Sequence, residues 1–419
     1  MTDSGLPFDL SPRDQQPTAD QLAPESLTIP RRHRRRPRRP YGCYSVRDPA
    51  EFCLRSFATP ENLNLAFQQL IDEGGPAPGT DGFGPECFSS HERWPILRQI
   101  SSALNTGAYS RYPSREVVIP RSENRVRILR LMRFTDRCVA KALLNCLSNF
   151  WCRRSISMSI RQIYAHLNRE IRRRRVYYLA IDDIRDCFPN APLDEVISCQ
   201  RLSIPSEPLM QLITRVIRCQ DDAGQIGLEQ GSPYSPIAMD ALLHHHLDRV
   251  MTTRESRTGI LYRFVDNLTF LCRDASEGRR LNELAQELLS PLRFNLKGQA
   301  GEWGDLRDPN FQTTLLGLIP RWQNGQLTFE IPESAFSKLE TYLQTSSEFS
   351  CPWYRAQRCC LSWIWSYGPA LTRPVALQVS SRINRLAAQY GFRSLTRTVL
   401  ITESNRAYQN WLRFLREFG

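Results

Sequence analysis

The stretch Ile260-Leu261-Tyr262-Arg263-Phe264-Val265-Asp266-Asn267-Leu268-Thr269-Phe270-Leu271-Cys272 decides how this chain is read. Two short apolar runs, 260–264 and 268–272, flank three residues that include an acid. Runs of this length, rich in β-branched and aromatic residues, suit strands, and the interruption predicts a hairpin with Asp266 at its tip. A third run, Val176-Tyr177-Tyr178-Leu179-Ala180-Ile181, predicts a buried strand ending just before Asp183. If the three strands share a sheet, both carboxylates converge at one edge. Two-metal phosphoryl transfer needs hard oxygen ligands and cations roughly 3.5–4 Å apart, which carboxylates from separate strands supply. Acids in turns are also common for local reasons, so neither aspartate decides anything alone.

Charge points the same way. The formal net charge of +12 suits either a solvated basic surface or a polyanionic partner, and phosphate is the anion such a surface meets most often. Nearly all of the positive charge is arginine, which offers phosphate a rigid fork. The lysines are only Lys141, Lys297 and Lys338, so the placement of each carries information. Thirteen cysteines without a Cys-x-x-Cys pair favour a reducing, cytoplasmic compartment. No apolar stretch approaches the ~20 residues of a membrane span, and the N-terminus lacks the apolar core of a secretion signal. We therefore expect no membrane partner.

Outward from the centre, residues 1–42 are polar and end in Arg31-Arg32-His33-Arg34-Arg35-Arg36-Pro37-Arg38-Arg39-Pro40. They are expected to be a disordered basic tail that grips phosphate nonspecifically. Leu63, Leu65, Ala66, Leu70 and Ile71 predict an amphipathic helix from Pro60 to Asp72. Arg115 to Leu131 predicts a hairpin, turning at Ser122-Glu123-Asn124. Helices follow at Thr135 to Phe150 and at the strongly basic Ser159 to Arg175. That arginine cluster suits a template-binding surface or a solvated face. The last ninety residues are expected to be mostly helical, with Trp353, Trp363, Trp365 and Trp411. His244-His245-His246 looks like a metal tract, but neighbours along a helix point apart, which argues against a joint site.

At this point the chain resembles the reverse transcriptases. Asp183-Ile184-Arg185-Asp186-Cys187-Phe188 looks like their motif A. Gln230-Gly231-Ser232-Pro233-Tyr234-Ser235-Pro236, running on to Leu247-Asp248, looks like motif B of the group II intron enzymes. Phe264-Val265-Asp266-Asn267 falls where those enzymes carry Tyr-x-Asp-Asp. Gly79-Thr80-Asp81-Gly82 resembles an early family motif, Leu104 to Tyr109 the segment before the fingers hairpin, and Leu315-Leu316-Gly317-Leu318 the primer grip. Any one string is weak; the motif B string flanked by the two acids in the family's order is specific.

The resemblance implies an α+β right-hand polymerase: fingers over 43–175, a palm with an antiparallel sheet over 176–330 and a helical thumb over 331–419. It implies two Mg²⁺ ions, with Mn²⁺ as an alternative, on Asp183, Asp266, Asn267 and the Ile184 carbonyl. Arg121, Arg125 and Arg127 would hold the incoming triphosphate, or form a solvated hairpin face. Phe188 would crowd the sugar 2′ position and favour dNTPs, unless it is an ordinary core residue. Gln230 and Gly231 would pack under the nascent base pair, and Lys297 would protonate the leaving pyrophosphate or remain a surface lysine. The partners implied are an RNA template, a nucleic-acid primer and dNTPs.

Three departures qualify the resemblance. Asn267 replaces the second acid of motif C, an arrangement similar to the Gly-Asp-Asn of negative-strand RNA virus polymerases. Phe264 replaces the motif's tyrosine. No nuclease or zinc motif follows residue 330. The chain looks like the stand-alone bacterial enzymes related to group II intron and retron proteins, several branches of which act in anti-phage defence. The competing expectation is a maturase-like RNA-binding protein that kept the fold and lost synthesis, with Asn267 as its main support.

Overall fold

The computed structural model describes residues 43–73, 77–84, 87–122, 125–151, 157–219, 225–254, 259–298, 303–348 and 351–418. The expected basic tail, residues 1–42, lies outside the described residues. A short helix α1 (Leu54–Phe57) leads into α2 (Pro60–Glu73) and α3 (Ser90–Thr106). The buried stripe of α2 is Leu63, Ala66, Phe67 and Leu70, a strict i, i+3, i+4, i+7 pattern, while Ile71 faces outward. Strands β1 (Arg115–Ser122) and β2 (Arg125–Leu131) form the expected hairpin, with Ile119 opposite Arg127.

Helix α4 (Phe134–Trp151) is buried along most of its length. Helix α5 (Ile160–Arg174) starts at a capping box between Ser159 and Gln162 and stops where Arg175 turns left-handed at φ 58°. Strand β3 (Tyr178–Asp183) is followed by α6 (Leu193–Arg201), α7 (Glu207–Ile217) and α8 (Ser235–Leu243). The last of these widens into a π turn, His244–Asp248, before α9 (Arg249–Arg254).

The central hairpin is β4 (Ile260–Phe264) and β5 (Asn267–Cys272). Helix α10 (Ala275–Leu289) follows, then the two-residue β6 (Gly304–Asp305). The sheet order is β4-β5-β3-β6, antiparallel throughout. The third strand starts at Tyr178 rather than Val176 and runs through Asp183, because its partners are Cys272 at one end and Asn267 at the other. Tyr177 lies outside the ladder, against Trp322 and under Arg307.

A third hairpin, β7 (Ile319–Gln323) and β8 (Gln326–Glu330), did not emerge from the apolar pattern. Its signal was the turn Asn324-Gly325, both residues at positive φ, as a tight hairpin requires. Helices α11 (Glu333–Ser346), α12 (Pro352–Ser366), α13 (Arg373–Gln389) and α14 (Arg397–Phe418) close the chain around their own apolar core. One large core gathers α4, α8 and α10 against the sheet, and another joins α5 to the sheet, the β7–β8 hairpin and Trp411. Among the described residues no helix is long and apolar enough to cross a membrane, and every cysteine is a free thiol.

Candidate active site

Asp183 ends β3 directly opposite Asn267, the first residue of β5. Asp266 precedes Asn267 in the two-residue turn, and its carbonyl accepts the Ile184 N–H at 3.1 Å. The two acids and Asn267 therefore share one sheet edge, with Ile184 beside them. The Asn267 amide donates to Asp266 Oδ1 at 3.3 Å. Val265 enters the turn at φ 56°, a region costly for a β-branched residue, by about 1–3 kcal/mol.

Lys297 lies on the far side of Asp183. Its Nζ is 2.5 Å from Asp183 Oδ2, and its backbone N–H donates to the Asp183 carbonyl at 3.0 Å. Sequence alone left this lysine undecided between site and surface; the structure puts it against the catalytic candidate. Burial pushes the Asp183 carboxyl above the usual carboxylate range. The Lys297 hydrogen bond pulls it back, and the Asp266 charge pushes it up again.

Asp183 Oδ1 is buried without a hydrogen-bond partner among the described residues. An orphaned carboxylate oxygen is costly unless something cationic meets it. With Asp266 and the Asn267 side chain beside it, the donor set is hard oxygen, which fits a divalent cation of the Mg²⁺ type.

Residues that sequence reasoning missed hold this edge in place. Asp182 points to the opposite face of β3, 1% exposed. It accepts hydrogen bonds from the backbone of Asp183, Lys297 and Gly298 and from Asn282, and so ties the lysine loop to the strand. Arg263, fully buried, pairs with Asp248 at 2.8 Å and Asp240 at 2.7 Å, and donates to the Val265 carbonyl at 2.9 Å. Burial disfavours its charge, but Asp248 and Asp240 more than compensate and the guanidinium stays ionised. The legible signal was strand alternation, which sends Tyr262 and Phe264 to one face and Arg263 to the other.

The remaining candidates divide. Arg127 Nε donates to Gln230 Oε1 at 2.7 Å, bringing the β1–β2 hairpin onto the loop before α8. The side chains of Arg121 and Arg125 lie outside the described residues. A Cβ on Gly231 would stand 2.3 Å from the Arg130 carbonyl, so the approach of β2 by itself demands a glycine here. Phe188 is half-buried against the large core, and its carbonyl accepts from Leu228 at 2.9 Å. Arg111 and Glu229, both essentially buried, pair at 2.8 Å just before Gln230.

Residues 119–298 match the family model described as reverse transcriptase (RNA-dependent DNA polymerase). This segment is a reverse transcriptase domain. It makes the chain an enzyme, a nucleotidyltransferase of the RNA-directed DNA polymerase class, and its mixed helical and antiparallel architecture is the right-hand polymerase fold. Reverse transcriptase domains use divalent metal ions. The structure is similar to telomerase from Candida tropicalis in complex with a TWJ fragment of telomeric RNA, at 12% identity over 78% of this chain and 68% of that one, TM-score 0.38. Similar too are apo telomerase from Candida tropicalis (11%, 76% and 72%, TM-score 0.40) and telomerase from Candida albicans with a TWJ fragment (10%, 78% and 68%, TM-score 0.37). No curated protein matches the sequence.

Proposed function

We propose that this reverse transcriptase domain copies RNA into DNA by two-metal phosphoryl transfer, a primer 3′-hydroxyl attacking the α-phosphate of a dNTP with pyrophosphate as leaving group. The observation that carries the reading is the sheet edge itself: Asp183 and Asp266 converge, and Asp183 Oδ1 is buried and unpartnered among the described residues. Asp183, Asp266, Asn267 and the Ile184 carbonyl would hold the cations, Mg²⁺ by preference. Bound there, the cations would lower the pKa of the attacking hydroxyl and offset the charge gathering on the phosphate.

The chain's own groups do the rest. Arg127, steadied by Gln230, presents a guanidinium on the face of the fingers hairpin where a triphosphate would lie, with Arg121 and Arg125 on the same hairpin. Lys297 is the acid nearest the carboxylates and can give a proton to the departing pyrophosphate. Phe188 stands five residues after Asp183 and excludes a 2′-hydroxyl. In this reading 43–175 are fingers, 176–330 palm and 331–419 thumb, with 1–42 a phosphate-gripping tail. The setting we infer, from the resemblance alone, is a cytoplasmic bacterial enzyme of the group II intron and retron type that acts against phage.

Primer extension on an RNA template with dNTPs and Mg²⁺ tests the reading. Asp183→Asn and Asp266→Asn should each abolish incorporation while circular dichroism and Tm stay close to those of the parent. Normal incorporation by either variant would remove the central assignment. Tight RNA binding without incorporation on any template would favour the maturase-like alternative that Asn267 raises.

A further inference from the structure

Away from the carboxylate edge, α6 and the π turn bring together a glutamate, a cysteine and a histidine. Glu195 and Cys199 stand one turn apart on the same face of α6. His246 Nε2 is 2.8 Å from Glu195 Oε1, and Cys199 Sγ is 3.6 Å from the same oxygen. One ligand atom from each residue lies within 4.8 Å of the others. The histidine reaches α6 from a turn that has widened from α to π, the kind of local insertion that often marks a functional position. The sequence argument against a joint site for all three histidines holds, because the tract splits. His245 Nε2 is 3.2 Å from Ser203 Oγ and its ring bonds the Cys199 backbone, His244 Nδ1 is 3.9 Å from Asp248, and His246 meets the Glu195 carboxylate.

We propose that Glu195, Cys199 and His246 form a second metal site, for a borderline-soft transition ion best represented by Zn²⁺, separate from the catalytic carboxylates. A thiolate and an imidazole do not suit Mg²⁺, whereas Cys, His and carboxylate oxygen are the ordinary ligands of zinc. A tetrahedron with bonds of about 2.0–2.3 Å has ligand atoms about 3.3–3.7 Å apart. The sulfur–oxygen separation already falls in that range, and the nitrogen–oxygen pair needs to open by about half an ångström. Cys199 is buried beneath, while the His246 and Glu195 side chains are 28% and 42% exposed, so water can complete the fourth position.

Burial and the Glu195 carboxylate push the Cys199 thiol up to about 12. Binding therefore exchanges the thiol proton, released to solvent, for the metal–sulfur bond. The ion would pin α6 to the turn that carries Asp248, the acid on which Arg263 and the Val265 carbonyl depend.

Cobalt is the probe. The full chain, stripped with chelator and freed of any affinity tag, is titrated with Co²⁺ under saturating Mg²⁺, which occupies the catalytic edge. The proposal expects a thiolate-to-cobalt charge-transfer band with the visible bands of tetrahedral cobalt, displaced by Zn²⁺. Cys199→Ser should lose the charge-transfer band, and His246→Gln and Glu195→Gln should each weaken binding by about tenfold or more. His245→Gln should leave the spectrum unchanged. Melting curves of all variants in excess chelator separate a lost ligand from a lost fold. No charge-transfer band in the wild type, or a band that survives in Cys199→Ser, would show the cluster to be an ordinary hydrogen-bonded triad.

Discussion

Asp183 meets three demands at once: it ends a strand, pairs with Lys297 and keeps one oxygen buried and unpartnered among the described residues. Its neighbour Asn267 is where this site departs most from the family pattern. The amide now donates to Asp266 Oδ1; a carboxylate in its place would lose that bond and add a third negative charge, which a hard cation offsets. Asn267→Asp should therefore retain synthesis at a lower Mg²⁺ requirement, read by titrating Mg²⁺ and Mn²⁺ against extension rate. Loss of activity at every concentration would mean that the pocket is specialised for the amide. Phe188 is half-buried, compatible with both packing and substrate contact. Phe188→Ala should raise the use of rNTPs relative to dNTPs by about tenfold or more. An unchanged ratio would assign the ring to the core.

At the scale of elements, the β4–β5 hairpin presents Asp266 only because its strained tip is anchored. Arg263 supplies the anchor from a buried pair with Asp248. Arg263→Met would leave Asp248, 1% exposed, without its partner, at a cost of about 3–5 kcal/mol. Adding Asp248→Leu should restore much of the Tm. Extension should stay impaired in the double variant, because the Val265 carbonyl has still lost its donor. Recovery of both together would reduce Arg263 to a packing role. The hairpin was readable from its apolar runs, as were α2 and α4 from their periodicity. The β7–β8 hairpin was hidden because Pro320 and Arg321 break its apolar run, and Arg321 is buried by its bonds to the Phe311 and Asp308 carbonyls and to Glu330.

For the whole molecule, the burial of an acid couples pH to stability. Asp136 on α4 accepts from the Tyr109 hydroxyl at 2.9 Å and from the Tyr112 N–H at 3.2 Å. Burial nevertheless pushes its carboxyl from 3.8 to about 6. Between those values the folded chain binds a proton that the unfolded chain has lost. The contribution is therefore fully present below about 4 and disappears as pH rises through about 6. Denaturant unfolding of Asp136→Asn should show a flatter pH dependence across that window than the parent. Parallel curves would mean that the carboxyl is ionised throughout.

The hairpins at 115–131 and 260–272, the strand before Asp183, the helices α2, α4 and α5, the basic character of the chain and the two acids at strand ends were all legible without a structure, because periodicity and local turn chemistry are properties of neighbouring residues. The resemblance to reverse transcriptases was legible in the sequence too, and the family match bears it out for residues 119–298. Only the tertiary structure decided that Lys297 reaches Asp183, that Asp182 and Arg263 hold the edge, that Gly231 answers to Arg130 and that His246 meets α6. Except for the local bond from Arg263 to the Val265 carbonyl, these contacts join segments 51 to 115 residues apart. Nothing in a single stretch of sequence encodes which buried charge will find which partner; that follows from packing, where an unpaired buried group costs more than the chain can spare.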